Sequence, residues 1–192
     1  MSRIIEEVPM KFHPRAFSAF GADLVTNDCV AIAELVKNSY DAFANTVTVS
    51  VLPDSIEIKD DGFGMTADVI REAWAVIATP YKKKAPIVEK DGKIRRVSGN
   101  KGLGRFSAAR LGRYLTIITK SNSEDTITAN IDWENFINSE NMSDCKIIMS
   151  YDAVDKFDAS GTLIKISGLY ENWDENKVKD LESSLSRLLS PF

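Results

Sequence analysis

The 192-residue chain is poor in cysteine and histidine and has no long apolar run, and each shortage closes off a class of protein. Its two cysteines, Cys29 and Cys145, lie far apart beside apolar or small neighbours, which argues against a disulfide framework and against a metal-ligand cluster. They read as reduced, buried thiols. No stretch approaches the roughly 18 to 20 apolar residues that cross a bilayer. The N-terminal "MSRIIEEVPMKF" carries acids where a signal peptide would carry its apolar region, so the sequence reads as cytoplasmic. There is no internal repeat and no low-complexity tract. What remains is the composition of one ordinary globular domain, 44% hydrophobic and 27% charged, long enough to bury a sizeable core.

Charge is distributed unevenly. The formal net charge is −4, yet between Lys82 and Arg113 there are 11 Lys and Arg against Glu89 and Asp91, leaving that segment at +9 and the rest at −13. A solvated loop, a nucleic-acid patch and a segment that folds over a small polyanion all fit such a stretch.

Periodicity divides the chain into helices and strands without regular alternation. Residues 1–20, which include His13 and Pro14, form an irregular arm. From Asp28, a plausible cap, to Phe43, apolar residues recur at helical spacing. "TVTVSVL" and "IEIKD" read as two strands joined by a tight turn. Thr66 is a good cap for a helix over "ADVIREAWAVIA". "TPYKKKAPIVEKDGKIRRVSGNKGLG" keeps no period and reads as a long loop, a feature that is usually functional or disordered. A short helical pattern, "RFSAARLG", ends at Gly112, and "YLTIITK", "TITANI", "KIIMSY" and "TLIKIS" follow as strands. In the closing helix, residues 174–190, Val178, Leu181, Leu185 and Leu188 share one face. The pattern predicts an α+β fold, one sheet with helices on one face.

Four stretches carry candidate chemistry. In "AIAELVKNSYDA", Glu34, Asn38 and Asp41 fall within about 60° of one another around a helix, forming one polar stripe. A solvent-facing stripe with an i to i+4 pair has the same pattern. "IKDDGFGM" delivers Asp60 at the end of an apolar strand, followed by Gly62, Gly64 and Met65. That is either a plain turn or a pocket floor, where Asp60 accepts a hydrogen bond from a ligand amino group and Met65 is an adaptable wall. In "SGNKGLGRFSAARLG", glycines 99, 102 and 104 precede a helix, an arrangement that offers backbone N–H groups to phosphate. It is neither a Walker A loop nor a Rossmann fingerprint. "SGTLIKIS" places Thr162 at a strand start, with its hydroxyl free to point inward.

The order "ELVKNSYDA", "DDGFGM", "GNKGLGRFSAARLG", "SGT" resembles the four motifs of the GHKL ATPase superfamily, which includes the DNA gyrase B protein, MutL, MORC proteins, histidine kinases and the ninety-kilodalton heat-shock chaperones. The resemblance covers roughly residues 15 to 168. It implies a two-layer α/β sandwich (Bergerat fold) with a mixed, mostly antiparallel sheet. It also implies ATP as ligand, with Asn38 as the Mg²⁺ ligand and Glu34 as the general base that orients and deprotonates the attacking water. Asp60 would bind the adenine amino group, Gly64 would give the base room, and Thr162 would hold Asp60 and a water. Asp41, Gly62 and Met65 would line the same pocket. Residues 79–104 become an ATP lid in which Lys101, Gly102, Leu103, Gly104 and Arg105 meet the phosphates, Lys101 ahead of Arg105.

Within that superfamily no helix pair precedes the first motif, and His13 sits in "FHPRAF", which argues against a complete sensor kinase. Glu34 favours a hydrolytic branch. Relatives complete the γ-phosphate site with a cation from a following domain, so the resemblance implies an N-terminal fragment with slow turnover of ATP to ADP and an ATP-dependent homodimer in the longer protein. Its client, a protein or DNA, is of either class the relatives serve. A switch that binds nucleotide without hydrolysing it is the alternative, and a nucleic-acid binder using the +9 segment is a third class.

Overall fold

The structure, a computed structural model, describes Val25 and residues 27–75, 87–90, 93–96, 104–152 and 157–189. Helix α1 spans Asp28–Asp41. Its cap is Asn27, whose side chain accepts from the Val30 N–H at 2.9 Å, one residue before the expected Asp28. Strands β1 (Val47–Val51) and β2 (Ser55–Asp60) follow, their connection closed by the Leu52 N–H on the Ser55 carbonyl at 2.8 Å. Thr66 caps α2 (Ala67–Ala73) as expected, but this helix ends well short of Ala78. The expected N-terminal arm lies outside the described residues.

The basic segment departs from expectation. It holds a hairpin, β3 (Ile87–Lys90) antiparallel to β4 (Lys93–Arg96), where the sequence pattern suggests one long loop. Lys90 pairs with Lys93, so the two strands flank Asp91-Gly92, a dipeptide suited to a two-residue hairpin turn. Then come α3 (Gly104–Leu111), β5 (Gly112–Lys120), β6 (Ile127–Asp132), the short α4 (Trp133–Asn138), a 3₁₀ turn, β7 (Ile148–Tyr151), β8 (Gly161–Leu169) and α5 (Glu175–Leu189).

Six strands form one sheet in the order β1-β2-β8-β5-β6-β7, every pairing antiparallel, giving the expected α+β layer architecture. Register sorts the inward face into cross-strand rows. One row is Ile56, Ile166, Leu115 and Ile131; the next is Ile58, Ile164, Ile117 and Ala129. All eight are buried, and they meet Ile32 and Leu35 of α1, Ile70 of α2, Ala108 and Leu111 of α3, Trp133 and Phe136 of α4 and Leu181 of α5. Burying each large aliphatic contributes about 1.5–3 kcal/mol, so these rows hold the helix layer to the sheet. The opposite face carries polar positions such as Glu57 and Lys165, which form an ion pair at 3.0 Å, as a one-sided antiparallel sheet should.

The stripe expected on α5 docks only in part. Leu181 is buried and Leu185 packs on the core, whereas Leu188 is 41% exposed. Both cysteines are unpaired and half-buried rather than fully buried, and burial pushes their thiols up. Among the described residues no helix is long and apolar enough to cross a membrane.

Candidate active site

The third inward row differs from the other two. It consists of Asp60, Thr162, Thr119 and Ile127, three polar residues in line at the end of the sheet where β2 stops. Asp60 is 7% exposed, yet its carboxylate is well supplied with donors. The Ser39 hydroxyl donates to Oδ2 at 2.7 Å and the Gly62 N–H to Oδ1 at 2.9 Å. Burial nonetheless pushes its pKa above the ordinary carboxylate range. The hydrogen bonds from Ser39, Gly62 and the Thr162 backbone pull the other way, and neighbouring Asp61 adds to the rise.

Thr119 organises the row. It is fully buried, accepts the Met65 N–H at 2.9 Å and donates its single proton to the Gly161 carbonyl at 3.0 Å. The 3.0 Å contact between the two threonine hydroxyls is therefore donated by Thr162.

The turn after Asp60 is tied to the C-terminal end of α1. Asp61 Oδ1 accepts the N–H groups of Asn45 and Thr46 at 2.7 and 2.9 Å, the Phe63 N–H donates to the Ala42 carbonyl at 2.8 Å, and the Ser160 hydroxyl donates to the Gly62 carbonyl at 2.7 Å. Gly64 has φ +66°, and a Cβ there would lie 1.8 Å from the Lys120 carbonyl oxygen, so the chain crossing itself demands glycine. Met65 packs against the core beside it.

Glu34, Asn38 and Asp41 are each half-buried on α1, while Ala31, Ile32, Leu35 and Ser39 turn into the protein. Asn38 directly precedes Ser39, the serine whose hydroxyl bonds Asp60. Glu34 lies one turn back along the helix, about 6 Å from Asn38 in rise. The Lys37 ammonium bonds Glu34 Oε1 at 2.7 Å. Gly104 and Arg105 are the first residues of α3, whose N-terminal N–H groups are the kind that receive anions. Lys101, Gly102 and Leu103 lie outside the described residues.

A cavity of about 650 Å³ lined by residues 120–125, Tyr151 and Asp158 adjoins the rim of the sheet, but none of the described site residues named from the sequence lines it. Its walls lack the convergent buried carboxylate that marks the Asp60 end.

Residues 26–162 match the model of the family described as histidine kinase-, DNA gyrase B-, and HSP90-like ATPases. The chain belongs to that family. As a member it is an ATPase-type, nucleotide-binding domain, and the match runs from the cap of α1 to Thr162. No curated protein matches the chain.

The residues present fit the family's ligand. A buried carboxylate beside a threonine hydroxyl is the kind of acceptor that an amino group such as adenine's would require. Asn38 carries an amide oxygen, a hard donor of the kind that would suit Mg²⁺. Two residues of the site are not singled out by sequence pattern. Ser39 reads only as a spacing position on the apolar face, although a hydroxyl among core positions signals a buried partner. Thr119 hides in "LTIITK", where only knowledge of register tells an inward threonine from an outward one.

Proposed function

We propose that this domain binds ATP with Mg²⁺ and hydrolyses it slowly to ADP, with movement of the basic segment over the nucleotide gating dimerisation or partner engagement of a larger protein. The observation that carries the reading is Asp60, a buried carboxylate met by neutral donors at the end of the sheet and paired in register with Thr162. Asp60 would take the adenine amino group, and Met65 and Gly64 would border the ring. Asn38 would hold Mg²⁺, which when bound offsets phosphate charge. Glu34 would orient a water through the carboxylate oxygen not bonded to Lys37 and take its proton. Backbone N–H groups at the start of α3, with Lys101, Gly102, Leu103 and Arg105, would serve the phosphates. Asp41 would border this end of the pocket.

A second reading, a switch that binds without hydrolysing, is favoured by the Lys37–Glu34 ion pair, which engages the proposed base. Phosphate release and ATP affinity measured for Glu34→Gln separate the two. Hydrolysis predicts turnover reduced about a hundredfold or more, with affinity within about threefold. Tight binding with equal, negligible turnover in both proteins would support the switch and remove Glu34 from catalysis.

A further inference from the structure

Helix α1 ends in a conformation that its sequence does not favour. The Phe43 N–H bonds the Tyr40 carbonyl at 3.1 Å and the Ala44 N–H bonds the Ser39 carbonyl at 3.0 Å, a Schellman closure in which Phe43 takes φ +63°. Glycine usually fills that position, because a side chain there strains the backbone. Phe43 is nonetheless 3% exposed, its ring 5.7 Å from that of Phe63 in the turn that follows Asp60.

What holds this end reaches in from the basic segment. The Arg95 guanidinium, on β4, lies 4.4 Å from the centre of the Phe43 ring and 4.8 Å from that of Tyr40. It also donates to the Ala44 carbonyl at 2.7 Å and the Tyr40 carbonyl at 3.2 Å. A planar cation thus caps the negative end of the helix dipole, satisfies carbonyls and stacks on both rings at once. A lysine ammonium can make any one of these contacts, but as a point charge without a planar fork it cannot hold both carbonyls and lie over both rings at once.

We propose that Arg95 is a positioning residue for the nucleotide site: it docks the β3–β4 hairpin on the C-terminal cap of α1 and so fixes the helix end that carries Asn38, Ser39 and Asp41. The role rests on the ATP reading above. Ser39 sits at both places, its carbonyl in the cap and its hydroxyl on Asp60, so the docking and the carboxylate share one residue. The cost of the left-handed Phe43 is offset by the stack that its ring provides, which explains why this position is not glycine.

The test uses wild type, Arg95→Ala and Arg95→Lys, with two readouts. The first is ATP affinity with Mg²⁺ by calorimetry; the second is the rate of tryptic cleavage between Lys82 and Lys101 without nucleotide. Arg95→Ala is expected to cleave at least fivefold faster there and to bind ATP about tenfold more weakly, and Arg95→Lys to restore neither. Unchanged cleavage in Arg95→Ala overturns the docking. Faster cleavage with unchanged affinity overturns the positioning role, as does full rescue by lysine. If wild type fails to bind ATP, the nucleotide reading falls and takes the positioning role with it, while the cleavage rates still decide the docking.

Discussion

Asp28 and Asp60 are two aspartates buried to the same degree, each 7% exposed, and their surroundings are opposite in kind. Asp28, in the first turn of α1, is met by two cations, Arg110 Nε at 3.0 Å from α3 and Lys177 Nζ at 2.5 Å from α5. Asp60 is met by a hydroxyl and backbone N–H groups, and among the described residues no cation is one of the groups that shift its titration. The first is a tie between three helices. The second is a carboxylate held by neutral donors at the end of a sheet. Burial of a carboxylate alone therefore does not single out a ligand-binding group; a buried carboxylate met only by neutral donors is the better candidate.

The sharpest way to break the comparison is to remove the tie. Asp28→Ala leaves two cations facing each other without a counter-charge, and a buried pair broken on one side costs about 3–5 kcal/mol. Arg110 and Lys177 remain 29% and 24% exposed, which lowers the expectation to about 2–3 kcal/mol in denaturant unfolding. ATP affinity of the folded variant should stay within about threefold, because the N-terminal end of α1 is remote from Asp60. A loss of affinity as large as that of an Asp60 variant would erase the distinction.

A smaller effect is expected in the polar row. Thr119→Val keeps the shape and strands the Met65 N–H and the Thr162 hydroxyl without their common partner, a loss of about 1–3 kcal/mol in thermal or denaturant unfolding. Thr119→Ser should recover most of it. Equal stability of valine and threonine at this position would show that the row is held by packing alone.

The smallest effect concerns pH. The folded-state pKa of Asp60 lies above its unfolded value, so its contribution favours folding most below the unfolded value and is lost as pH rises through the folded one. Asp60→Asn does not suffer that loss. Its stability relative to wild type should therefore increase between about pH 4 and pH 7 in parallel thermal unfolding. A relative stability that decreases over that interval would mean that the hydrogen bonds to Asp60 outweigh its burial.

The strands and the Asp60 turn are legible in the sequence because both rest on local signals: alternation, a capping threonine at Thr66, glycines after an acid. The polar stripe on α1 is legible for the same reason. The order of strands is not, and with it goes the row that unites Asp60, Thr162 and Thr119, since residues 43 and more positions apart come together only through register. The β3–β4 hairpin is hidden by its lysines and arginines, which depress strand propensity even around Asp91-Gly92. Arg95 cannot be told from the other cations near it. Its role is set by Phe43, and a phenylalanine in a left-handed cap is the reverse of what sequence rules anticipate.

The central claim is that Asp60 is the acceptor for the nucleotide base. Calorimetric titration of ATP with Mg²⁺ into the wild-type chain and into Asp60→Asn, with thermal unfolding to verify that both are folded, tests it most directly. Micromolar to millimolar binding by wild type, weakened about a hundredfold or more by the substitution, is the predicted result. Equal affinity in the two proteins, or no binding by folded wild type, would contradict it.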